Sequence, residues 1–416
     1  MNADIVLVVG GFDCNDGVNT RLIAWSLGKP TRSAESLGGP GVDIARAGAL
    51  DVSAWAEAHF TIAIGGADVD DVTARVAALA NELRDLSAII IGLKGSAHTG
   101  MLIPTRTDCV EIPLESPWDS RLMNAHKTAV EIVVQREPWV YGAVTALYAA
   151  QALSLPAVLN LSAMLGQAAA PLNLLFDAAT ANLHQLVCGV YPDAPVALSK
   201  FILKAVDLTW YATGGGAPAG SAVAEANGWP DGAGNTLWKV NTLVGDYTDL
   251  DVTDFMGGSY ALYANVRRDA GASPATIETP YGDAVAIEGT DLRRQLVGLV
   301  SLPCASVRGA ATSTLRVTLC GDGTDYAYCN TLEIIPTPLV GWHHVTPASY
   351  ADTLRFADGF VYADDVASLG YRTNDAELIA LGGTLVITGE STAEAPTLAV
   401  TASAEYVPRW EQLPSL

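Results

Sequence analysis

Four aspartates crowd one short segment of the chain, and carboxylates at that density could hold a hard metal ion. The segment is residues 245–255, GDYTDLDVTDF, and its carboxylates belong to Asp246, Asp249, Asp251 and Asp254. Calcium prefers several oxygen ligands from a flexible loop, although this spacing does not follow the EF-hand pattern. The competing interpretation is a set of turns in which each aspartate accepts hydrogen bonds from its own backbone. We expect no obligatory cofactor and keep calcium at these four residues as a hypothesis.

Carbohydrate cleavage is a second chemistry to weigh, because glutamates are scattered through the later part of the chain. Glycosidases place two carboxylates on either side of the scissile bond. The glutamates available are Glu278, Glu288, Glu333, Glu377, Glu390 and Glu394. Their separation along the sequence cannot reveal a pair, so we interpret them as solvated acids near strand edges.

Aromatic rings could bind sugars without cleaving them, by stacking on the CH faces of the sugar rings. The candidates are Trp210, Tyr211, Trp229, Trp238, Tyr247, Tyr260, Trp342 and Tyr350. The competing interpretation is that most of these side chains pack into a core. Trp229 differs from the rest because the loop sequence NGWPDG would present it to solvent. Trp229 is therefore our candidate ligand-binding residue.

Motifs for other enzyme classes do not occur in the sequence. There is no G-x-S-x-G nucleophile elbow, no G-x-x-x-x-G-K-[ST] phosphate loop and no C-x-x-C pair among the six cysteines. We therefore predict that the protein is not an enzyme and has no catalytic residues.

The charge balance excludes another class of partner. The formal net charge is −22, and Arg267-Arg268 and Arg293-Arg294 are isolated pairs rather than a basic stripe. Binding along a nucleic-acid backbone requires clustered lysine and arginine, so we predict no nucleic-acid partner. Residues 144–165 carry no charge, but polar residues and Pro156 interrupt them. We interpret this stretch as an interdomain segment and a buried strand, and we expect no membrane insertion.

The elements that would position these residues are mostly strands, because valine, threonine and glycine recur between turn signals. Residues 69–86 are the exception: apolar residues recur there every three or four positions, and Asp68 is placed to cap the predicted helix. In residues 129–137 apolar and polar residues alternate, with a lapse at Val133, which predicts a half-buried antiparallel strand. This strand belongs to a predicted hairpin that begins near residue 111 and ends on Pro138-Trp139-Val140-Tyr141-Gly142.

These patterns predict a mainly β chain with two domains. Residues 1–145 would form an α+β domain, in which one amphipathic helix packs across a sheet. Beyond them, short strands alternate with loops rich in glycine, proline, asparagine and aspartate. Such a pattern predicts an antiparallel β-sandwich or jelly roll over residues 146–416.

Three segments of the first domain resemble the N-terminal domain of siphophage distal tail proteins and related minor tail proteins. They are the opening strand DIVLVVGGF, the strand–helix unit HFTIAIGGADVDDVTARVAALANELRDL and the hairpin end EPWVYG. The resemblance implies a homo-oligomeric ring, a hexamer or a trimer, at the baseplate end of the tail. It also implies tail tube, tail hub and minor tail proteins as partners, and a virion location after assembly in the host cytoplasm. In that family a galectin-like or carbohydrate-module-like sandwich follows.

The leading hypothesis is therefore a structural tail-tip protein that connects the tail tube to the host-recognition apparatus. Its assembly hairpin would be anchored by Trp118, Trp139 and Tyr141, and its sandwich could bind host surface glycan. The alternatives are a stand-alone lectin-like carbohydrate-binding protein and a glycoside-active enzyme. The start of the sequence lacks the basic region of a secretory signal, which disfavours the lectin. The lack of a defined acid pair disfavours the enzyme.

Overall fold

The computed structural model describes residues 5–28, 55–84, 86–96, 99–105, 110–111, 126–178, 183–192, 195–225, 235–271, 275–280, 282–304, 313–337, 339–343, 351–357, 360–364, 366–367, 378–391 and 398–410. Within these residues the chain forms strands β1 to β32, one α-helix, and two short 3-10 helices at Leu198–Lys200 and Ala205–Asp207. Every strand pair is antiparallel, as the pairings of the six sheets show. The predicted mainly β class is confirmed.

The first part of the chain forms two sheets around one apolar core. Sheet I has the order β2-β1-β5-β6-β9-β32, and sheet II the order β3-β4-β8-β7. The strands of sheet I are β1 Ile5–Val9, β2 Phe12–Asp13, β5 Ile89–Leu93, β6 Thr99–Leu102, β9 Val140–Tyr141 and β32 Arg409–Trp410. Those of sheet II are β3 Thr20–Ser26, β4 Ala56–Gly65, β7 Val110–Glu111 and β8 Lys127–Arg136. Alternation buries every second residue of β4 and β8, and these residues join the shared core.

The helix α1, Val69–Arg84, packs on this core through Leu79 and Leu83. Its start follows from local chemistry, because the Asp68 carboxylate accepts a hydrogen bond of 2.8 Å from the amide of Asp71. The predicted helix over 69–86 extends beyond the observed end at Arg84. Leu86 follows the helix and is buried in the core, so it continues the apolar pattern without being helical.

Residues 145–191 and 339–406 form the next pair of sheets. Sheet III has the order β10-β31-β12-β26-β27-β28, with β29 paired to β12, and sheet IV the order β11-β30-β13-β25. The strands of sheet III are β10 Thr145–Leu155, β12 Ala170–Asp177, β26 Thr353–Ala357, β27 Phe360–Ala363, β28 Val366–Ala367, β29 Ile379–Ala380 and β31 Leu398–Tyr406. Those of sheet IV are β11 Ala157–Asn160, β13 Leu183–Tyr191, β25 Leu339–His343 and β30 Thr384–Ser391. Leucines and alanines between the two sheets form the second core.

Residues 202–336 contribute the strands of a third pair. Sheet V has the order β16-β17-β24-β19-β22, with β14 paired to β24, and sheet VI the order β15-β18-β23-β20-β21. The strands of sheet V are β14 Ile202–Lys204, β16 Ser221–Glu225, β17 Asn235–Val240, β19 Gly258–Arg268, β22 Arg293–Leu302 and β24 Ala327–Pro336. Those of sheet VI are β15 Trp210–Ala212, β18 Asp246–Asp251, β20 Thr276–Glu278, β21 Val285–Ala286 and β23 Thr314–Cys320. Their inner faces form the third core.

Sheet IV packs on both of its faces. Its residues Leu186 and Ile387 belong to the second core, whereas Val187 and Val386 belong to the third. Strand β24 of sheet V is likewise buried along its whole length. Such strands lose the alternating pattern of a one-sided sheet. The sequence predicted one sandwich after residue 145, while the structure has two sheet pairs there; the boundary at residue 145 stays a prediction.

The uncharged stretch at 144–165 does not contain the buried strand that we predicted. Strand β10 pairs with β31 at the edge of sheet III, and Leu155 is the one residue of β10 that is fully buried. The uncharged, alanine-rich composition of this strand does not require burial, because alanine side chains are small enough to remain at the surface. Among the described residues, no helix is long and apolar enough to span a membrane.

Candidate functional site

The predicted hairpin end at 138–142 lies at the junction between the first sheet pair and the rest of the chain. Strand β9 is paired on one side with β6 and on the other with β32, which comes from the far end of the sequence. Tyr141 is opposite Arg409, and Val140 is opposite Trp410. The amide of Gly142 donates a hydrogen bond of 2.8 Å to the carbonyl of Pro408. Residues more than 250 positions apart therefore complete one sheet.

Two glycines let this returning strand pack closely. A Cβ atom at Gly142 would lie 2.6 Å from the Trp410 ring, so only glycine fits against that indole. Gly166 has a positive φ of 120°, and a Cβ there would lie 2.8 Å from the backbone oxygen of Arg409. The same oxygen accepts a hydrogen bond of 2.8 Å from the amide of Gln167. Strand β32 is thus held between sheet I and a loop beside sheet III.

The polar centre of the junction is Arg136, which is fully buried. Its guanidinium donates to the carbonyl of Leu27 at 2.7 Å, to that of Glu137 at 2.7 Å and to that of Trp139 at 3.1 Å. Burial lowers the pKa of Arg136 to about 10, so the group stays protonated at neutral pH. One side chain thereby fixes the end of β8, the turn after it and the chain that leaves β3.

Tyr141 is buried beside this centre, as a packing anchor at the boundary would be. Its hydroxyl donates to the carboxylate of Glu137, and the Arg409 guanidinium lies 5.6 Å from the centre of its ring. Burial and the Glu137 carboxylate raise the pKa of the Tyr141 phenol. Trp139 is half-buried and contributes its backbone carbonyl. Trp118 lies outside the described residues, so its place in the hairpin stays a prediction.

The four aspartates of the calcium hypothesis are spread over different partners. The buried Asp246 carboxylate accepts hydrogen bonds from the amides of Ala219 and Gly220, at 3.0 and 2.7 Å. Asp249 forms a two-point ion pair with Arg316, with nitrogen–oxygen distances of 2.8 and 2.9 Å.

Of the other two aspartates, Asp251 is the last residue of β18 and Asp254 lies in the turn that follows it. Asp251 accepts a hydrogen bond of 2.9 Å from the amide of Thr253, and bonds to Thr253 lower the pKa of its carboxyl. Asp254 offers its backbone oxygen to Lys200 at 2.7 Å. In the part of the chain that the structure describes, no group of three or more His, Cys, Asp or Glu side chains is arranged to hold a metal ion. Calcium at these residues stays a prediction.

The aromatic candidates fall into two groups. Trp229 lies outside the described residues, so its role as a ligand contact stays a prediction. Trp210 and Trp238 stack inside the third pair of sheets, with ring centres 5.4 Å apart. Tyr211 and Tyr247 also stack at 5.4 Å, but on the outer face of sheet VI, where Tyr211 is 44% exposed.

Glu333 and Glu390 lie in one polar cluster between sheets IV and V. Their positions in the sequence gave no indication that they are close to each other. Arg294 Nε is 3.3 Å from a Glu333 carboxylate oxygen. Arg293 Nη1 is 2.9 Å from a Glu390 carboxylate oxygen, and His184 Nδ1 is 3.7 Å from the other. The cluster therefore contributes charges from strands β13, β22, β24 and β30.

Burial acts differently on the two carboxyl groups. It raises the pKa of Glu333, with Arg294 opposing the shift. Burial also acts to raise the pKa of Glu390, but hydrogen bonds from His184 and Arg293 outweigh it, so that this pKa is lowered. A carboxyl group with a raised pKa beside one with a lowered pKa is the pattern of an acid–base pair. However, Glu333 is 0% exposed, so a polysaccharide cannot reach it. The cluster therefore acts between the two sheets.

Sequence reasoning missed Arg136, β32 and this cluster. Arg136 carried a usable signal, because it falls in phase with Val130, Ile132 and Val134, the buried positions of β8. A charged residue in phase with a core set indicates a buried polar centre. The other two depend on contacts between distant parts of the sequence, for which no local pattern exists.

The comparisons with known proteins are distant. No family model and no curated protein matches the chain. The Dit protein of SPP1, described as a paradigm of the hub adsorption apparatus in phages that infect Gram-positive bacteria, is 9% identical over 79% of this chain and 98% of its own, with a TM-score of 0.29. A chain of the phage p2 baseplate in its activated conformation is 10% identical over 97% of each chain, with a TM-score of 0.27.

A xanthan lyase from Paenibacillus is 9% identical over 85% of this chain and 35% of its own, with a TM-score of 0.23. Two of these three structures are described as phage hub or baseplate proteins. At such TM-scores the superpositions establish neither a common fold nor a function.

Proposed function

We propose that this protein is a structural subunit of a bacteriophage tail tip, of the distal tail or minor tail type. Its first sheet pair assembles into a closed homo-oligomeric ring, a hexamer or a trimer, between the tail tube and the host-recognition apparatus. The sheets after residue 145 project from that ring and contact glycan on the host surface. The protein is part of the virion and is assembled in the host cytoplasm. Its role is structural rather than enzymatic.

The observation that carries this proposal is an apolar edge on the first sheet pair. Among the strands that the structure describes, β3 is the outermost of sheet II, and its Ile23 is 50% exposed. Val18, in the loop before β3, and Trp55, just before β4, are 87% and 44% exposed. Edge strands with exposed apolar side chains are templates for pairing with another chain. A ring of identical subunits needs such a surface, because its contacts join two different patches.

The loop that presents Val18 is held in one conformation. The Asp16 carboxylate accepts hydrogen bonds from the amides of Val18, Asn19 and Thr20, at 2.7, 2.8 and 2.9 Å. These bonds lower the pKa of Asp16 against the effect of burial, so the carboxylate is ionised at neutral pH. A preorganised loop loses little conformational entropy when a neighbour packs on it.

Ring assembly is tested by measuring the mass of the full chain in solution, with and without purified tail tube protein as a template. We expect a closed hexamer or trimer, seen as rings by negative-stain microscopy. A lysine at the edge, in Ile23→Lys, should return the protein to a monomer because it places a charge in the contact. The matched control is Leu381→Lys, since Leu381 is 51% exposed on a different sheet pair.

A monomer at high concentration, with the template present, would contradict the ring. Equal loss of the oligomer in Leu381→Lys would place the contact elsewhere. The location in the virion is tested separately with an antiserum against the purified protein. The antiserum should label the tail tip in electron micrographs of phage particles.

A further inference from the structure

The outer face of sheet VI carries an ordered row of aromatic and charged side chains. Tyr211 on β15 and Tyr247 on β18 are cross-strand partners, and their rings stack with centres 5.4 Å apart at an angle of 28°. The Arg316 guanidinium on β23 lies 3.8 Å from the centre of the Tyr247 ring. The same guanidinium is held by the Asp249 carboxylate at 2.8 and 2.9 Å. The order across the sheet is therefore arginine, tyrosine, tyrosine.

Strand alternation fixes this row on the outside. The neighbouring residues Trp210, Leu250 and Val317 point inward and belong to the third core. Because successive side chains of a strand point to opposite faces, Tyr211, Asp249 and Arg316 must point outward. The core residues thus position the row, while the side chains of the row themselves take no part in the core.

Tyr211 forms the open end of the row. Within the described residues strand β15 lies at one edge of sheet VI, and Tyr211 is 44% exposed. Tyr247 lies between the Tyr211 ring and the guanidinium, so both of its faces are covered. The stack orients the Tyr211 ring, and a flat, weakly polar group could add to it at the sheet edge.

The polar groups beside the stack restrict what that group can be. Arg316 and Asp249 are locked in a fork-shaped pair, and such a pair presents donors and acceptors in fixed directions. Thr276, Glu278 and Thr318 continue the half-buried outer face across β20 and β23. Hydroxyl and carboxylate groups next to an aromatic platform match the hydroxyls and the CH face of a pyranose ring.

The charge of the face sets the class of sugar. One guanidinium, of Arg316, stands against the carboxylates of Asp249, Asp251 and Glu278. Acidic sugars and nucleic acids would be repelled by such a face, and by a chain with a net charge of −22. Neutral hexopyranoses carry no such penalty.

We propose that the outer face of sheet VI is a binding site for neutral oligosaccharides, in which the Tyr211 ring stacks on a pyranose and the Asp249–Arg316 pair hydrogen-bonds its hydroxyls. The proposal rests on the part of the proposed function in which the protein contacts host glycan. It does not depend on ring assembly. It places sugar recognition on a described strand face and does not require Trp229.

The test uses the full chain on an array of neutral and uronic-acid-containing oligosaccharides, followed by titration calorimetry with the neutral oligosaccharide that binds best. Tyr211→Ala should weaken binding about tenfold, because a stacking partner is lost. Tyr211→Phe keeps the ring and should stay within about twofold. Asp249→Asn should also weaken binding, since it breaks the fork pair. Circular dichroism and oligomer mass are recorded for every variant.

The matched control is Tyr362→Ala. Tyr362 also lies under an arginine, with the Arg355 guanidinium 4.0 Å from its ring centre, but it belongs to sheet III. Unchanged binding in this variant supports the assignment. Binding to none of the neutral oligosaccharides would overturn it, as would equal affinity of the wild type and the folded Tyr211→Ala variant. A variant that loses sugar binding but keeps the oligomer, or one that keeps sugar binding but loses the oligomer, shows that this site and ring assembly are separate.

Discussion

Two buried arginines, each at a contact between packed sheets, face opposite kinds of partner. Arg136, at the junction with β32, donates to backbone carbonyls of Leu27, Glu137 and Trp139. Arg294, between sheets IV and V, faces the Glu333 carboxylate at 3.3 Å and the Tyr263 ring at 5.3 Å. The first contact rests on neutral acceptors of fixed position, whereas the second rests on a charge pair removed from water.

The difference shows what each contact is suited for. Backbone carbonyls cannot titrate, so the Arg136 centre keeps its geometry as long as the arginine is protonated. A buried ion pair costs desolvation on both sides and contributes mainly to the choice of one packing arrangement. The first sheet pair is therefore joined to the rest of the chain by hydrogen bonds of fixed geometry. At the later contact, Arg294 and Glu333 pair within sheet V, and the ion pair that reaches sheet IV is that of Arg293 with Glu390.

Removing Arg294 should produce the largest effect. In Arg294→Met the Glu333 carboxyl group loses its partner while still buried, and we expect a loss of about 3–5 kcal/mol in the free energy of unfolding. Urea denaturation followed by fluorescence measures this change. The double variant Arg294→Met/Glu333→Leu should recover most of the stability, because it removes both charges. A double variant as unstable as the single one would show that the pair is not the source.

Removing Arg136 should cost somewhat less. Arg136→Met leaves three carbonyls without their donor, that of Leu27 buried and the other two partly buried, and we expect a loss of about 2–3 kcal/mol in the free energy of unfolding. Arg136→Lys keeps the charge but reaches fewer carbonyls at once, so it should recover only part of the loss. Both values come from urea denaturation at neutral pH. Full recovery in Arg136→Lys would indicate that the charge matters and the three-way geometry does not.

An exposed ion cluster should give the smallest effect of the three. On the outer face of sheet II, His59 lies 2.8 Å from Glu57 and 3.3 Å from Glu131. Burial alone would lower the pKa of His59, but hydrogen bonds to Glu131 and Glu57 reverse the shift and raise it. The protonated form is thus favoured in the folded state.

The resulting stabilisation is complete below the unfolded pKa of about 6.5 and is lost as pH rises through the folded pKa. We expect the urea midpoint of the wild type to fall slightly between pH 5.5 and 8.5, relative to that of His59→Gln. Added salt should reduce the difference because the cluster is exposed. An equal pH dependence in both proteins would remove His59 as the cause.

Sequence patterns located the local elements and missed the distant contacts. The alternation in β8 and the three-to-four spacing in α1 depend on neighbouring residues, so both elements were predictable, and the helix erred only at its end. The two sheet pairs after residue 145 could not be separated, since strand β13 and strand β24 are buried on both faces and carry no alternation. The role of Tyr141 as an assembly anchor stays a prediction, although its place in the hairpin was named from the sequence. Arg409 and Trp410 were not, because their partners lie at the other end of the sequence.

The pairing of β9 with β32 has a consequence for biosynthesis. Strand β9 emerges from the ribosome long before strand β32, because more than 250 residues separate Tyr141 from Arg409. During synthesis β9 is therefore an edge strand, flanked by β6 alone within the described residues. A nascent chain, or one truncated before residue 409, presents this edge to any passing strand. Sheet I is thus completed only after strand β32 has been translated.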